Sequence, residues 1–470
     1  MEFKNKKVLV MGLGTLGGGV ATTRWFVKHG AMVTVTDLRD AAALKSAVKA
    51  LGKISKKVKF VLGRHDERDF KENDVVSVNP AVPRESKFLD IAKKAGKTLT
   101  NDAQIFFNEV KNPVIAITGT RGKTTTANWT AHFLGSGGMM GGNTPEAPLL
   151  YLLDKAKNKK TVVVELSSWQ LELLPGARRA PDVALITNLY PDHLNRYKSI
   201  RDYALAKSNI FASQNANQAL ILNADSQWTG FFLGQKPKSR IYFFSLKPLP
   251  KNQNGIFIRS GRIYFGENKK YEVVLLADKL RDFYKRGEHS VQNLLSAMLV
   301  AHLAGLSWTK IRPKISSLPD VSFREEIVTN RKNLLVVNDS AATSPDATIA
   351  AVKRFGTPHT FLISGGTDKK LEFKEFATAI KKYIKPANLF LLNGSATQKL
   401  VQSLKKIHYA GEFKIYEDLE GILKDIKTAV AAYRKAVVLF SPGAASFEKF
   451  KNEFDRGMRF NLLVSKILKS

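Results

Sequence analysis

Lys123, Thr124 and Thr125 close a glycine loop, Gly119-Thr120-Arg121-Gly122, directly behind the largely β-branched run Val114–Thr118. A strand that stops at glycines and resumes as a helix aims backbone N–H groups and a helix N-terminus at one point, which makes an anion site. Lys123 has the reach for the terminal phosphates of a nucleoside triphosphate, and Thr124 has a hydroxyl suited to Mg²⁺. The loop is tighter than the general G-x-x-x-x-G-K-[ST] pattern, whose first glycine would fall at Ile117. A second glycine pattern, Gly12-Leu13-Gly14-Thr15-Leu16-Gly17, follows the run near Lys7–Met11, and Asp37 follows the next strand-like run. This is the dinucleotide fingerprint, with its acidic residue about 20 positions on.

Four further clusters fall at predicted strand ends or helix starts. Glu165, which ends a strand ahead of Ser167-Ser168-Trp169-Gln170, is a natural carboxylate ligand for Mg²⁺. Asn188-Leu189-Tyr190-Pro191-Asp192-His193 closes the next strand, and His193 could hold a second Mg²⁺ or steady an anion. Lys207 sits in a predicted helix among small and apolar residues, where a lysine ordinarily snorkels to the surface. Gly287–Asn293 opens another helix, and the Asn293 amide can meet both donor and acceptor edges of a purine.

Strand-like runs alternate with helical stretches almost throughout the 470 residues, which predicts an α/β protein with parallel sheets. Strands are expected near residues 7–11, 32–36 and 75–78, then 114–118, 162–166, 183–187 and 219–222, and then 334–337, 360–363, 389–392 and 437–440. Residues 256–265 read as a hairpin about Ser260-Gly261. Domain boundaries are expected near Asn112-Pro113 and Pro319-Asp320, giving three domains over residues 1–111, 112–319 and 320–470.

There are no cysteines, so disulfides and thiolate metal sites are excluded. No run approaches the roughly 20 apolar residues of a membrane span. The opening Met1–Val8 lacks the apolar core of a signal peptide, so a cytoplasmic enzyme is expected. The net charge of +33 is spread along the chain in pairs such as Lys56-Lys57, Lys269-Lys270 and Lys405-Lys406. A dispersed basic surface favours small anionic substrates over a dedicated nucleic-acid site.

Taken together, Gly119–Thr125, Glu165–Gln170, Asn188–His193, Lys207 and His289–Asn293 occur in the order and spacing of the Mur ligases, which this chain resembles along nearly its whole length. Asn338-Asp339-Ser340-Ala341-Ala342-Thr343, Gly365-Gly366-Thr367-Asp368-Lys369 and Ser441–Phe447 are similar to motifs of the D-glutamate-adding members, as are Phe450–Asn452 and Arg456-Gly457. The resemblance implies a Rossmann-like first domain, a central ATPase domain with a phosphate loop, and a Rossmann-like third domain. It implies ATP-dependent addition of D-glutamate to UDP-N-acetylmuramoyl-L-alanine in peptidoglycan precursor synthesis, through an acyl phosphate. The implied cofactors are ATP and Mg²⁺, in a monomer.

By the same resemblance, Gly14, Thr15, Leu16, Asp37 and Arg39 hold the UDP moiety, and Asn143 and Ser167 contact the sugar-linked substrate. Gly119, Thr120, Arg121, Gly122, Lys123, Thr124 and Thr125 take the ATP phosphates, while Asn293, Arg324 and Asp339 are further ATP contacts. Thr124, Glu165, His193 and a carbamylated Lys207 are metal ligands, and Lys123, His193 and Lys207 carry catalysis. Lys369, Ser446 and Phe447 receive the incoming amino acid. The chain departs from the family pattern at Arg121, Ser290, Ala341, Glu453 and Val78–Pro83. A different amino acid, a nicotinamide-dependent oxidoreductase and a nucleic-acid-stimulated ATPase are the alternatives that the residues leave open.

Overall fold

Three sheets organise the chain in a computed structural model, which describes all residues except 1, 2, 16, 145, 146, 157–159, 194, 195, 332, 412, 469 and 470. The first sheet contains β1 (Lys7–Met11), β2 (Met32–Asp37), β3 (Val58–Leu62), β4 (Val75–Val78) and β5 (Thr98–Thr100). They lie in the order β3-β2-β1-β4-β5, all parallel. The chain leaves β1 toward β2 on one side and reaches β4 on the other. That reversal opens a crevice at the C-terminal end of β1, where the first glycine loop sits.

The second sheet comprises β6 (Val114–Thr118), β7 (Gly138–Gly142), β8 (Thr161–Glu165), β9 (Val183–Ile186), β10 (Ala219–Asn223), β11 (Arg240–Ser245), β12 (Gly255–Arg259), β13 (Arg262–Glu267) and β14 (Lys270–Leu276). Their order is β14-β13-β12-β11-β10-β9-β6-β8-β7. All pairs are parallel except β12–β13 and β13–β14, which form the expected hairpin and one further strand. β6 is buried along its whole length, as its run of apolar residues requires of a strand covered on both faces. It lies between β8 and β9, so the loop that follows it again opens at a reversal of strand order.

The third sheet holds β15 (Glu326–Arg331), β16 (Leu334–Asn338), β17 (Thr360–Ser364), β18 (Leu389–Leu392), β19 (Ile415–Tyr416) and β20 (Ala436–Phe440). Their order is β15-β16-β20-β17-β18-β19, with only β15 antiparallel to its neighbour.

Two compact units result. One spans Met1–Pro191, Arg196–Tyr284 and Glu288–Pro319 and contains the first two sheets; the other spans Asp192–Asn195, Lys285–Gly287 and Asp320–Ser470. In the first unit a continuous apolar core runs from Val8 and Val35 through Phe106 and Phe107 to Val114, Leu166 and Phe257, so both sheets share it. All the strands read from the sequence are present. Those not foreseen are β3, β5, β7, β11, β14, β15 and β19, most of them at or near sheet edges, where half-exposed strands need no continuous apolar run. No helix among the described residues is long and apolar enough to cross a membrane.

Candidate active site

The loop after β6 is shaped by its glycines and clamped by the end of β9. Gly119 has φ 145°, and a Cβ there would lie 1.9 Å from Thr187 Oγ1, so no other residue fits without movement. Gly122 has φ 80°, and a Cβ there would meet Asn293 Oδ1 at 2.2 Å. Thr120 N donates to Asn188 O at 3.1 Å, and Arg121 N donates to Asn188 Oδ1 at 2.8 Å. The Asn188 amide returns a bond to Arg121 O at 3.2 Å, while Thr187 Oγ1 donates to the same carbonyl at 2.6 Å. The helix Lys123–Leu134 then starts at Gly122, and the N–H groups of its first turn have no intrahelical acceptors.

Lys123 Nζ, on that first turn, lies 3.3 Å from Thr120 O and 4.0 Å from Glu165 Oε1. Glu165 ends β8 and is only 5 % exposed. Thr124 and Thr125 are partly exposed beside Lys123. Asn293 lies on the helix Glu288–Leu303, 8 % exposed, with its amide oxygen toward Gly122 and 3.4 Å from Thr126 Oγ1. Ser290, one turn earlier, is buried.

Lys207 corrects the surface reading of its helix. It is 1 % exposed, and Nζ donates to Gly119 O at 2.9 Å and Thr118 Oγ1 at 3.4 Å, over the Tyr203 ring at 4.5 Å. The helix Ile200–Ser208 turns this face inward, so the amine braces the glycine loop from beneath. Helical position alone could not distinguish that face from a solvated one.

Ser167 caps the short helix Ser168–Leu171: its hydroxyl accepts from Gln170 N at 3.2 Å, and its own N–H donates to Gln170 Oε1 at 3.1 Å. Asn143 is exposed, with its N–H tied to Glu165 O at 2.9 Å. This bond joins β7's end to the Glu165 carboxylate strand.

In the loop after β1, Asp37 is consumed by backbone. It accepts from Gly14 N at 3.0 Å and Arg39 N at 2.9 Å, and Arg39 Nη1 reaches Thr15 Oγ1 at 3.3 Å. Asn79 closes the other side, donating to Gly12 O at 3.1 Å. Four of the five residues expected here, Gly14, Thr15, Asp37 and Arg39, are thus brought together, and Leu16 lies outside the described residues.

The second unit gathers the loops after β16, β17 and β20. Thr367 and Ala445 exchange backbone bonds at 2.9 and 3.0 Å, which brings Lys369 and Ser446 onto adjoining loops. Lys369 Nζ donates to Thr343 Oγ1 at 3.2 Å and stands 3.7 Å from Asp192 Oδ1. His193, the next residue, takes the left-handed conformation with φ 54°, and its N–H donates to Asp192 Oδ1 at 2.9 Å. Phe447 is 64 % exposed, whereas Ser446 is buried and its hydroxyl has no hydrogen-bond partner in the structure. Such an orphaned donor suits a site completed by a ligand.

Asp339 ties Glu325 N at 3.2 Å and accepts from Ser441 Oγ at 2.7 Å. Burial, with Glu325 beside it, pushes its carboxyl well above the ordinary range, against a smaller opposing pull from Arg324. Arg456 is fully buried and donates to the carbonyls of Ser340, Ala444 and Ala445 at 2.8–3.1 Å, which fastens the first loop to the third. Ala341 N donates to Phe323 O at 2.9 Å, and the Glu453 carbonyl accepts from Ser340 Oγ at 2.8 Å.

The positioning roles of Asn188, Asn79 and Arg456 were not legible as roles. The signal for Asn188 was a polar residue directly behind the strand that neighbours the phosphate-loop strand. Among the described residues no group of three or more His, Asp or Glu side chains could hold a metal ion. The Glu165 carboxylate lies within 4.0 Å of Lys123 Nζ, and Thr124 is the next residue on the helix.

Comparison with known proteins agrees with this architecture. The Mur ligase middle domain matches residues 117–301, and the Mur ligase MurD-like N-terminal domain matches residues 6–101. The chain is 34 % identical over 477 residues to the UDP-N-acetylmuramoylalanine–D-glutamate ligase of Borreliella afzelii, covering 98 % of each. It is 35 % identical over 481 residues to the enzyme of the same name from a Roseiflexus species, covering 99 % of each. Among solved structures, MurF from Acinetobacter baumannii superposes with a TM-score of 0.58 at 14 % identity, covering 100 % of this chain and 92 % of that one. A pseudomurein peptide ligase type C from Methanothermus fervidus gives 0.54 at 19 % identity, over 98 % of this chain and 100 % of that one. These last two show a shared fold.

Proposed function

The chain belongs to the Mur ligase family, and from that premise we propose that it adds D-glutamate to UDP-N-acetylmuramoyl-L-alanine at the expense of ATP. The observation that carries the reading is 34–35 % identity along 98–99 % of the chain to enzymes named UDP-N-acetylmuramoylalanine–D-glutamate ligase, in a chain whose phosphate loop keeps Lys123 beside Glu165. We assign residues 1–111 to the UDP-linked substrate, 112–319 to ATP and 320–470 to the amino acid.

The family uses ATP, and the chemistry explains why. A carboxylate is a poor electrophile. Transfer of the γ-phosphoryl group to the substrate carboxylate makes an acyl phosphate, which the glutamate amine attacks, with loss of phosphate. An anionic acceptor approaching a triphosphate is repelled, and a fixed cation in a dry site offsets that repulsion. Lys123 takes this role, with the first-turn N–H groups of its helix. Mg²⁺, bound through Thr124 and Glu165, would supply further charge neutralisation. His193 and Lys207 are assigned to the same metal-binding chemistry. The buried Lys207 amine would need CO₂ to become an anionic ligand, and Lys207→Ala should then lose activity that bicarbonate does not restore. Asn143 and Ser167 face the sugar-linked substrate in this reading, and Lys369, Ser446 and Phe447 receive the glutamate. Asn293, Arg324 and Asp339 are assigned as ATP contacts, and reaction in the cytoplasm as a monomer completes the proposal.

The test is phosphate release from ATP with Mg²⁺. Release is expected only when UDP-N-acetylmuramoyl-L-alanine and D-glutamate are both present. Folded protein that releases none under these conditions overturns the reading, and release with another amino acid in place of D-glutamate corrects the acceptor.

A further inference from the structure

Glu172 directly follows the helix Ser168–Leu171, and its side chain is 7 % exposed. Three hydrogen bonds and one further ion pair converge on its two oxygens. Oε1 accepts from Arg196 Nε at 3.3 Å and the Tyr197 hydroxyl at 2.8 Å. Oε2 accepts from Arg196 Nη2 at 2.8 Å and lies 2.8 Å from Arg84 Nε. A carboxylate offers about four lone-pair directions, and three of them take hydrogen bonds while the Arg84 cation pairs with Oε2. The Arg196 fork is bidentate, the geometry that fixes a guanidinium plane. Burial, and then the Glu172 charge, raise the Tyr197 hydroxyl above its ordinary range, so it stays a donor.

What these partners carry gives the cluster its meaning. Arg196 stacks on the Trp169 ring at 4.7 Å, and Trp169 stays partly exposed two residues beyond Ser167. Arg84 belongs to the turn after β4, the same turn in which Asn79 clamps the first glycine loop. Arg196 follows His193 by three residues in the chain. One buried carboxylate therefore joins the turn beside the first glycine loop to the segment beside Ser167. A buried carboxylate with two cations is costly to assemble and is not explained by stability alone.

We propose that Glu172 is a positioning residue for the UDP-linked substrate: through Arg84 and Arg196 it fixes the turn after β4 against the Trp169 wall. The proposal rests on the ligase reading above. Glu172 touches no reacting atom in it, so its removal should loosen substrate binding and leave the phosphate chemistry intact.

The experiment compares three variants by steady-state kinetics. Glu172→Gln keeps the shape and removes the charge; Arg84→Met removes one half-exposed partner and should fold in any case. Asp182→Asn is the control, because Asp182 also pairs with an arginine, Arg179, but does so ahead of β9, at the end of the strand away from the loops. We expect KM for UDP-N-acetylmuramoyl-L-alanine to rise about tenfold in Glu172→Gln and about threefold in Arg84→Met, with KM for ATP and kcat within about twofold. Asp182→Asn should lower the melting temperature without moving that KM. Unchanged KM in Arg84→Met and in folded Glu172→Gln overturns the proposal. So does an equal rise in Asp182→Asn, or a loss confined to kcat, because a merely structural role would produce either. The wild type separates two failures: an inactive folded wild type overturns the ligase reading, whereas an active one with unaltered variants overturns only the role of Glu172.

Discussion

The two glycine loops of the first unit are built from the same parts and tied in opposite ways. Each follows a buried parallel strand at a reversal of strand order, and each opens a helix. The loop after β1 is tied by a carboxylate, with Asp37 accepting from Gly14 N and Arg39 N. The loop after β6 is tied by a neutral amide, with Asn188 accepting from Arg121 N and donating to Arg121 O. A carboxylate inside the first loop lowers its appetite for dense negative charge. The neutral Asn188 tie in the second adds no charge of its own, so Lys123, the buried Lys207, Glu165 and the helix N-terminus set the local potential. In the proposed function, one strand–loop–helix pattern would thus serve the UDP moiety in one place and a triphosphate in the other.

The sharpest way to break that contrast is Lys123→Ala. If the second loop is the one organised around charge, this change should cost about 10³-fold in phosphate release while binding of the UDP-linked substrate is kept. Equal loss of both, measured by kinetics and by titration, would remove the distinction between the loops.

Glycine replacement comes next. Gly119→Ala places a methyl group 1.9 Å from Thr187 Oγ1 at φ 145°, and should cost about 3 kcal/mol in denaturant unfolding. Gly14→Ala has φ 64° and no atom nearer than 3.5 Å, so only the backbone penalty of about 1 kcal/mol should appear. Similar costs at the two sites would mean that the first loop is packed as tightly as the second.

Exchanging the ties themselves should have a smaller effect. Asn188→Ala removes both side-chain bonds to Arg121 and should cost about 2 kcal/mol, with KM for ATP raised. Asp37→Asn keeps one acceptor, should cost about 1 kcal/mol, and should raise KM for the UDP-linked substrate only. A rise in KM for ATP in Asp37→Asn would show that the loops do not act separately.

A pH titration extends the comparison to a third tie, Asp339. Here burial raises the carboxyl, so the folded state holds its proton more tightly than the unfolded chain. Its contribution to stability is complete below the ordinary carboxylate pKa of about 3.9 and is lost as pH rises through the folded value. Asp339→Asn should therefore flatten the fall in stability above about pH 4. An unaltered slope of unfolding free energy against pH would place the proton elsewhere.

Much of this was legible before any coordinates. The parallel strands β1, β2, β4, β6, β8, β9 and β10 read as β-branched, largely apolar runs because strands covered on both faces leave few positions for polar side chains. The edge strands β3, β14 and β15 did not, since exposed faces break the pattern. In the site, Gly119, Gly122 and Lys123 were readable because the loop's chemistry is local. Lys207 was not: the same helix could have turned its lysine to solvent, and only packing sends it to Gly119 O.

The sequence by itself determined the chemistry on offer. It supplies two glycine loops, a lysine and threonines behind one of them, carboxylates at strand ends, and no cysteine. These follow from residue type and short spacing, which local backbone geometry translates directly. The tertiary structure alone decided which side chains are spent on holding the loops and which are left for ligands. Asp37, Asn188 and Arg456 are consumed by backbone groups, while the Ser446 hydroxyl is buried without a partner. The physical reason is that a hydrogen bond between residues far apart in the chain depends on distances of a few ångströms, which are set by how the sheets stack and not by spacing along the chain.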